Sequence, residues 1–317
     1  MPEIPEEWTE CSSTGYCECY YYYMGPGQIV ACAGVDISTL QEEQVFPSDT
    51  IYLGLVNNNA EDIATFVSEA EVFQIRNLKV SANPLSELTR QSFSELVNLE
   101  TLELLVDQME DLPNELEVSN TLSVISLRDN PNLQALPERL ITQGESSLAS
   151  IEVIRNPSLK RIPGTFFDNL PNLVLVEFSD NNLQQAEIED ISFGNHPSLM
   201  RVSFVYEHGL TTIRREWFRD IPQNMGSISF WHNDNIHTIE QGTFDDLHSL
   251  QSSLSLSYNA LTDDGVPDDL LDNLNRYTPT NVTVYMYGNR LTRVPVMCTL
   301  PNINCLLDAH LANHIKK

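Results

Sequence analysis

Thr121-Leu122-Ser123-Val124-Ile125-Ser126-Leu127-Arg128-Asp129-Asn130-Pro131-Asn132-Leu133 is the stretch from which the rest of the chain can be read. Its apolar residues Leu122, Ile125 and Leu127 occupy relative positions 1, 4 and 6, Asn130 falls at position 9, and Leu133 closes the unit. Positions 4 and 6 have the two-residue period of a strand, and the Asn marks a sharp turn after it. One such unit leaves its apolar side in water. Stacked copies bury it against one another.

The copies are present. Position 9 recurs as Asn58, Asn83, Asp107, Asn130, Asn156, Asn181, Glu207, Asn233, Asn259 and Asn289, a spacing of about 26 residues on average. The apolar triplets keep register with it, as in Ile75, Leu78, Val80; Leu99, Leu102, Leu104; Leu148, Ile151, Val153; Leu173, Val176, Phe178; Leu199, Val202, Phe204; and Met225, Ile228, Phe230. Apolar-Pro pairs follow several of the turns (Leu112-Pro113, Leu136-Pro137, Ile162-Pro163, Val294-Pro295). Many copies then end on a Phe three residues before an apolar side chain, as in Phe93 and Leu96, Phe167 and Leu170, or Phe244 and Leu247.

This pattern resembles the leucine-rich repeat family in its extracellular form, over roughly residues 29–300. The resemblance implies an α/β solenoid: a curved horseshoe with a parallel β-sheet on its concave side, an N-terminal cap stapled by disulfides, and a ladder of Asn side chains bonded to backbone in the turns. Three segments are expected: an acidic stretch and cysteine cap over residues 1–49, about ten repeats over 50–297, and a closing loop and tail over 298–317. Asp107 and Glu207 lack the amide donor of Asn, so the ladder is expected to be weakened or rebuilt there. The last interval is longer and carries an insertion around residues 262–279, predicting a bulge on the convex side.

All six cysteines lie at the ends, Cys11, Cys17, Cys19 and Cys32 before the repeats and Cys298 and Cys305 after them. By sequence alone the first four allow three pairings, and a zinc site competes with them. An even count outside the repeats favours disulfides in an oxidising compartment. The family resemblance implies Cys11–Cys19 and Cys17–Cys32. Cys298 and Cys305 are expected to close a small loop, and the usual four-cysteine C-terminal cap is absent.

Seventeen Lys plus Arg stand against 45 Asp plus Glu, a formal charge of −28 among 317 residues. That balance excludes nucleic acid and anionic membrane as partners and suits a basic one. No apolar run reaches the ~18 residues of a membrane span. Residues 1–10 have no apolar core and do not read as a signal peptide; a mature chain with an added Met and an intracellular protein are both open, and the cysteines favour secretion. Asn281-Val282-Thr283 is a glycosylation sequon. The Tyr20 to Tyr23 run reads as an edge strand of the cap.

Nothing in the chain spells out a reaction. There is no G-x-S-x-G, H-E-x-x-H, phosphate loop or dinucleotide fingerprint, so no catalytic residue, cofactor or metal is expected. His310 and His314 share a helical spacing without a third ligand in reach and read as a solvated tail. His232 and His237 flank a turn and read as surface residues. Asp263, Asp264, Asp268, Asp269 and Asp272 lack the ordered spacing of a calcium loop and read as a solvated insertion.

Binding is the remaining possibility. Strand residues alternate sides, so positions 3, 5 and 7 point away from the core, with position 8 beside them. Down the array these positions are charged in the middle (Glu103, Arg128, Asp129, Glu152, Arg155, Glu177, Asp180, Arg201) and aromatic in the last third. Tyr206, Trp231, His232, Tyr258, Tyr285 and Tyr287, set among serines, are the predicted partner-binding residues; Leu105, Val106 and Ile154 form a second exposed candidate. The expected function is a secreted, non-catalytic protein-binding module. In size, acidity and repeat style the chain is similar to the leucine-rich-repeat, non-catalytic subunit of decapod luciferases, which implies a small secreted catalytic subunit as partner. The alternative is an adhesion or innate-immune recognition ectodomain with a protein or glycan ligand.

Overall fold

The computed structural model describes residues 9–10, 17–21, 27–43, 46–61, 63–64, 66, 74–85, 88–106, 108–141, 146–188, 191–222, 224–277 and 281–312. The chain forms two compact units, one of residues 1–148 and 155–157 and one of residues 149–154 and 158–317.

The first unit opens with three antiparallel strands, β1 (Thr9–Glu10), β2 (Cys17–Tyr21) and β3 (Gln28–Ala33). Cys17 lies directly opposite Cys32 in the β2–β3 register, and the two form a buried disulfide, as the family resemblance implies. Cys11 lies outside the described residues, and so does its predicted pairing. After the short helix α1 (Ile37–Glu43), β4 (Thr50–Val56) joins β3 in parallel. β5 (Asn77–Ser81), β6 (Thr101–Leu105) and β7 (Val124–Arg128) continue the parallel sheet with matching register, Leu53 beside Leu78, Leu102 and Ile125. The cap thus supplies the edge on which the repeats stack.

The second unit repeats the arrangement with β8 (Ser150–Ile154), β9 (Leu175–Ser179), β10 (Arg201–Val205), β12 (Asn224–Trp231), β14 (Ser249–Ser255), β15 (Val282–Tyr285) and β16 (Ile303–Leu306), all parallel. On the return side of the coils β11 (Thr212–Ile213) pairs with β13 (Thr238–Ile239). The return sides otherwise hold turns and short 3-10 segments such as Arg215–Phe218. The insertion includes the helix α2 (Asp272–Tyr277), with Val266, Leu270, Leu271 and Leu274 buried and Asp264, Asp268, Asp269 and Asp272 exposed. A Cys298–Cys305 disulfide and the helical turn α3 (Ala309–Ala312) follow.

Positions 1, 4 and 6 make the core, as the period-2 pattern requires. In the second unit position 6 is a column of flat-stacked rings, Phe178, Phe204 and Phe230, at centroid distances of 5.2 and 5.4 Å. Behind it runs a second column, Phe167, Phe193, Phe218 and Phe244, with Trp217 stacked on Phe204. These are the leucine-rich-repeat coils expected from the sequence.

Candidate binding surface

Most repeat strands lead into one repeated backbone event. Asn57, Ala82, Asp129, Arg155, Asp180, Tyr206, His232 and Tyr258, all at position 8, have φ between 52° and 58°, and Gly288 continues the series at 66°. A non-glycine residue pays for that left-handed conformation. Val106 alone among the described position-8 residues lacks it, in keeping with its β-branch. Val106 is fully buried and Ile154 nearly so, which removes the second exposed candidate of the sequence; only Leu105 keeps partial exposure.

The position-9 ladder pays for the turns. Asn83 Oδ1 accepts the N–H of Asn58 and of Ala60, at 2.8 and 3.2 Å, while its amide donates to the carbonyls of Leu55 and Ser81. Asn156, Asn233 and Asn259 repeat the motif in their own turns. Residue 107 lies outside the described residues; beside it the N–H of Val106 takes Asn130 Oδ1 at 2.8 Å, a shift of one residue in the ladder. At Glu207 the ladder is rebuilt. The carboxylate, with no exposed surface, accepts from the Asn181 N–H and side-chain amide and from the Leu183 N–H. Burial pushes its carboxyl up to about 7 against these bonds, with the nearby Asp180 charge adding to the rise.

Position 8 therefore forms a column of side chains one rung apart. Asp129 and Arg155 form a two-bond pair at 2.6 Å, which holds the Asp129 carboxyl below the usual range. In the second unit the column is aromatic. His232 lies flat between Tyr206 (4.9 Å, 23°) and Tyr258 (4.3 Å, 6°). Trp231, at position 7, meets Tyr206, His232 and Tyr258 edge-on at 5.4, 4.2 and 6.2 Å, tying the column to the sheet face. The stack ends at Gly288, where a Cβ would come within 2.6 Å of the Tyr258 ring.

Four of the six predicted residues are thus brought together. Tyr285 and Tyr287 follow one rung on, without a ring contact to the four among the described residues; the Tyr287 N–H donates to Ser257 Oγ. The rings do pack on each other, yet Tyr206, Tyr258 and Tyr285 remain 36%, 44% and 36% exposed. Ser203, Ser229 and Ser255 lie in register beside them, leaving a low floor next to the ring wall. The sequence gives no sign of Asp308, whose carboxylate accepts the Gly288 N–H, because it stands outside the repeat.

The other predicted sites have been placed as well. His310 Nε2 lies 3.3 Å from the Leu291 carbonyl, and His314 is outside the described residues. His237 Nδ1 is bonded to Thr238. In the acidic loop Asp263 accepts from the Thr292 N–H and hydroxyl and the Arg293 N–H, which hold its carboxyl low, and Asp269 accepts from Gln241. Asn281 is exposed at the start of β15. The recesses lined by Leu88, Gln108 and Asp111 in the first unit, and by Asn195, Asp220 and His248 in the second, share no residue with the aromatic column.

No protein-family model matches the chain. Keratocan from Gallus gallus is 24% identical over 296 residues, covering 92% of this chain and 70% of keratocan. Tsukushi from Gallus gallus is 23% identical over 264 residues, covering 76% and 71%. Both are extracellular leucine-rich-repeat proteins. A solved structure of the Toll–Spatzle complex, from Drosophila, aligns with a TM-score of 0.50 at 17% identity over 86% of this chain and 38% of that one. That likeness concerns the fold alone. The chain is a leucine-rich-repeat protein in fold, and its similar sequences are extracellular.

Proposed function

We propose that this chain is an extracellular, non-catalytic recognition module that holds a partner protein on the Tyr206–Trp231–His232–Tyr258 surface. One observation carries the reading. Three large rings are stacked and kept partly exposed on residues whose left-handed backbone is fixed by a buried hydrogen-bond ladder. Such a surface loses little freedom on docking, and preorganised aromatic residues dominate protein interfaces. The similar sequences favour adhesion or recognition over a companion subunit for a luciferase, which finds no support among them. Secretion and an N-glycan on exposed Asn281 belong to the same reading.

The test is affinity capture from the extracellular fluid of the source, with the wild-type chain and Trp231→Ala as baits. A stoichiometric protein held by the first and lost by the second is the expected result. A protein retained equally by both, or a glycan in its place, overturns the reading.

A further inference from the structure

We propose that the occupant of the aromatic surface is a cationic, extended segment of the partner, with Arg or Lys side chains set between the ring column and the carboxylates around it. The inference rests on the reading of this surface as a protein-binding site and adds the chemistry of what it binds.

The surroundings of the column decide the sign of the charge. Asp180 is the rung before Tyr206, at the same position 8 and with the same left-handed backbone. Asp234 lies two residues beyond His232, with its carboxylate 3.4 Å from His208. Asp308 closes the far end against Gly288, and Glu177 stands on the sheet face beside Ser203. Carboxylates thus flank both ends and one side of a wall of π-faces, and cations are the groups that both attract. An acidic or phosphorylated segment would meet like charge at both ends and along that side. Among the described sheet-face residues of the second unit, Arg201 is the exception, and it partly offsets Glu177 on the adjacent strand. It sits at position 3 of the strand whose position 8 is Tyr206, roughly 16 Å away at about 3.3 Å per residue, beyond effective range in physiological salt. The formal charge of −28 adds long-range attraction of the same sign.

Geometry also sets a spacing. Four rung intervals separate Asp180 from Gly288, about 19 Å at roughly 4.8 Å each. An extended chain covers that length in about six residues. Two basic residues six apart would reach the two acidic ends with the rings between them.

The test uses the full chain and fluorescein-labelled nonapeptides of Gly, Ser and Leu, read by anisotropy. One peptide carries Arg at residues 2 and 8, one Arg at 2 and 4, and one Glu at 2 and 8. The wide-spaced Arg peptide is expected to bind best, with about tenfold weaker binding to Asp180→Asn/Asp234→Asn. Glu110→Gln/Asp264→Asn, which removes two exposed charges elsewhere, should change it less than about twofold. Equal weakening by both double variants means general attraction to an acidic chain and overturns the inference. So do equal affinities for all three peptides, preference for the Glu peptide, or no binding at all. If the native partner is still lost with Trp231→Ala while these peptides fail, the surface stands and only its cationic occupant falls.

Discussion

At the residue scale, two buried titratable groups set opposite ends of the stability profile. Glu207 has its folded value raised from 4.5 to about 7, so its stabilising contribution is complete below about pH 4.5 and is lost as pH rises through 7. The full penalty is about 3 kcal/mol. Glu207→Asn restores the ladder residue found in most of the other turns. It is expected to flatten the loss of stability between pH 5 and 8 in urea titrations; an unchanged slope would show that Glu207 is not its source. His196 is buried with its Nδ1 on the Leu170 carbonyl, and burial pushes its ring downward. Its contribution is present above its ordinary value of 6.5 and is lost as pH falls below it. Gly288 marks another kind of control. Gly288→Ala would put a methyl group into the Tyr258 ring at a φ of 66°. A cost of about 1–2 kcal/mol and a several-fold weaker grip on the captured partner are expected, read by thermal unfolding and by binding.

At the scale of the element, the strands are held by what lies behind and beneath them. Phe204 touches Phe178, Phe230, Phe193 and Trp217, so Phe204→Ala opens a cavity common to three coils. A loss of about 3–5 kcal/mol is expected in chemical denaturation; under about 1 kcal/mol would mean the column is loosely packed. Asn156→Ala acts through polarity instead. It strands the buried Asn130 N–H and the Leu127 carbonyl and should cost about 2–3 kcal/mol. Spacing made Asn130 and Asn156 legible as recurrent turn residues, and the family resemblance implied their ladder. The repair at Glu207 was not legible, since a carboxylate's hydrogen bonds depend on which N–H groups the neighbouring turn presents.

At the scale of the whole molecule, charge is the dominant long-range quantity. An excess of 28 negative charges repels itself in the folded chain and attracts a basic partner. Raising salt from about 0.02 M to about 0.5 M shortens the screening length several-fold and is expected to raise the melting temperature while slowing association with a basic partner. Opposite responses of stability and association rate to one salt series would be the signature; a melting temperature that falls with salt would contradict it.

The sequence by itself determined the repeat, its register and the buried positions, because each follows from short-range periodicity; the Cys17–Cys32 pair was one of three pairings open to the sequence, implied by the family resemblance and fixed by the β2–β3 register. It also pointed to Tyr206, Trp231, His232, Tyr258, Tyr285 and Tyr287 as a group, since rungs of equal length bring equal positions together; the structure brings the rings of the first four into contact. Tertiary structure decided the rest. Val106 and Ile154 occupy outward positions yet are buried, while Tyr206 and Tyr258 stay exposed although they pack against His232. For Val106, at position 8, the difference lies in the turn. A left-handed residue at position 8 carries its side chain into a column with its neighbours, and whether a given residue adopts that backbone depends on its β-carbon and on the ladder below it.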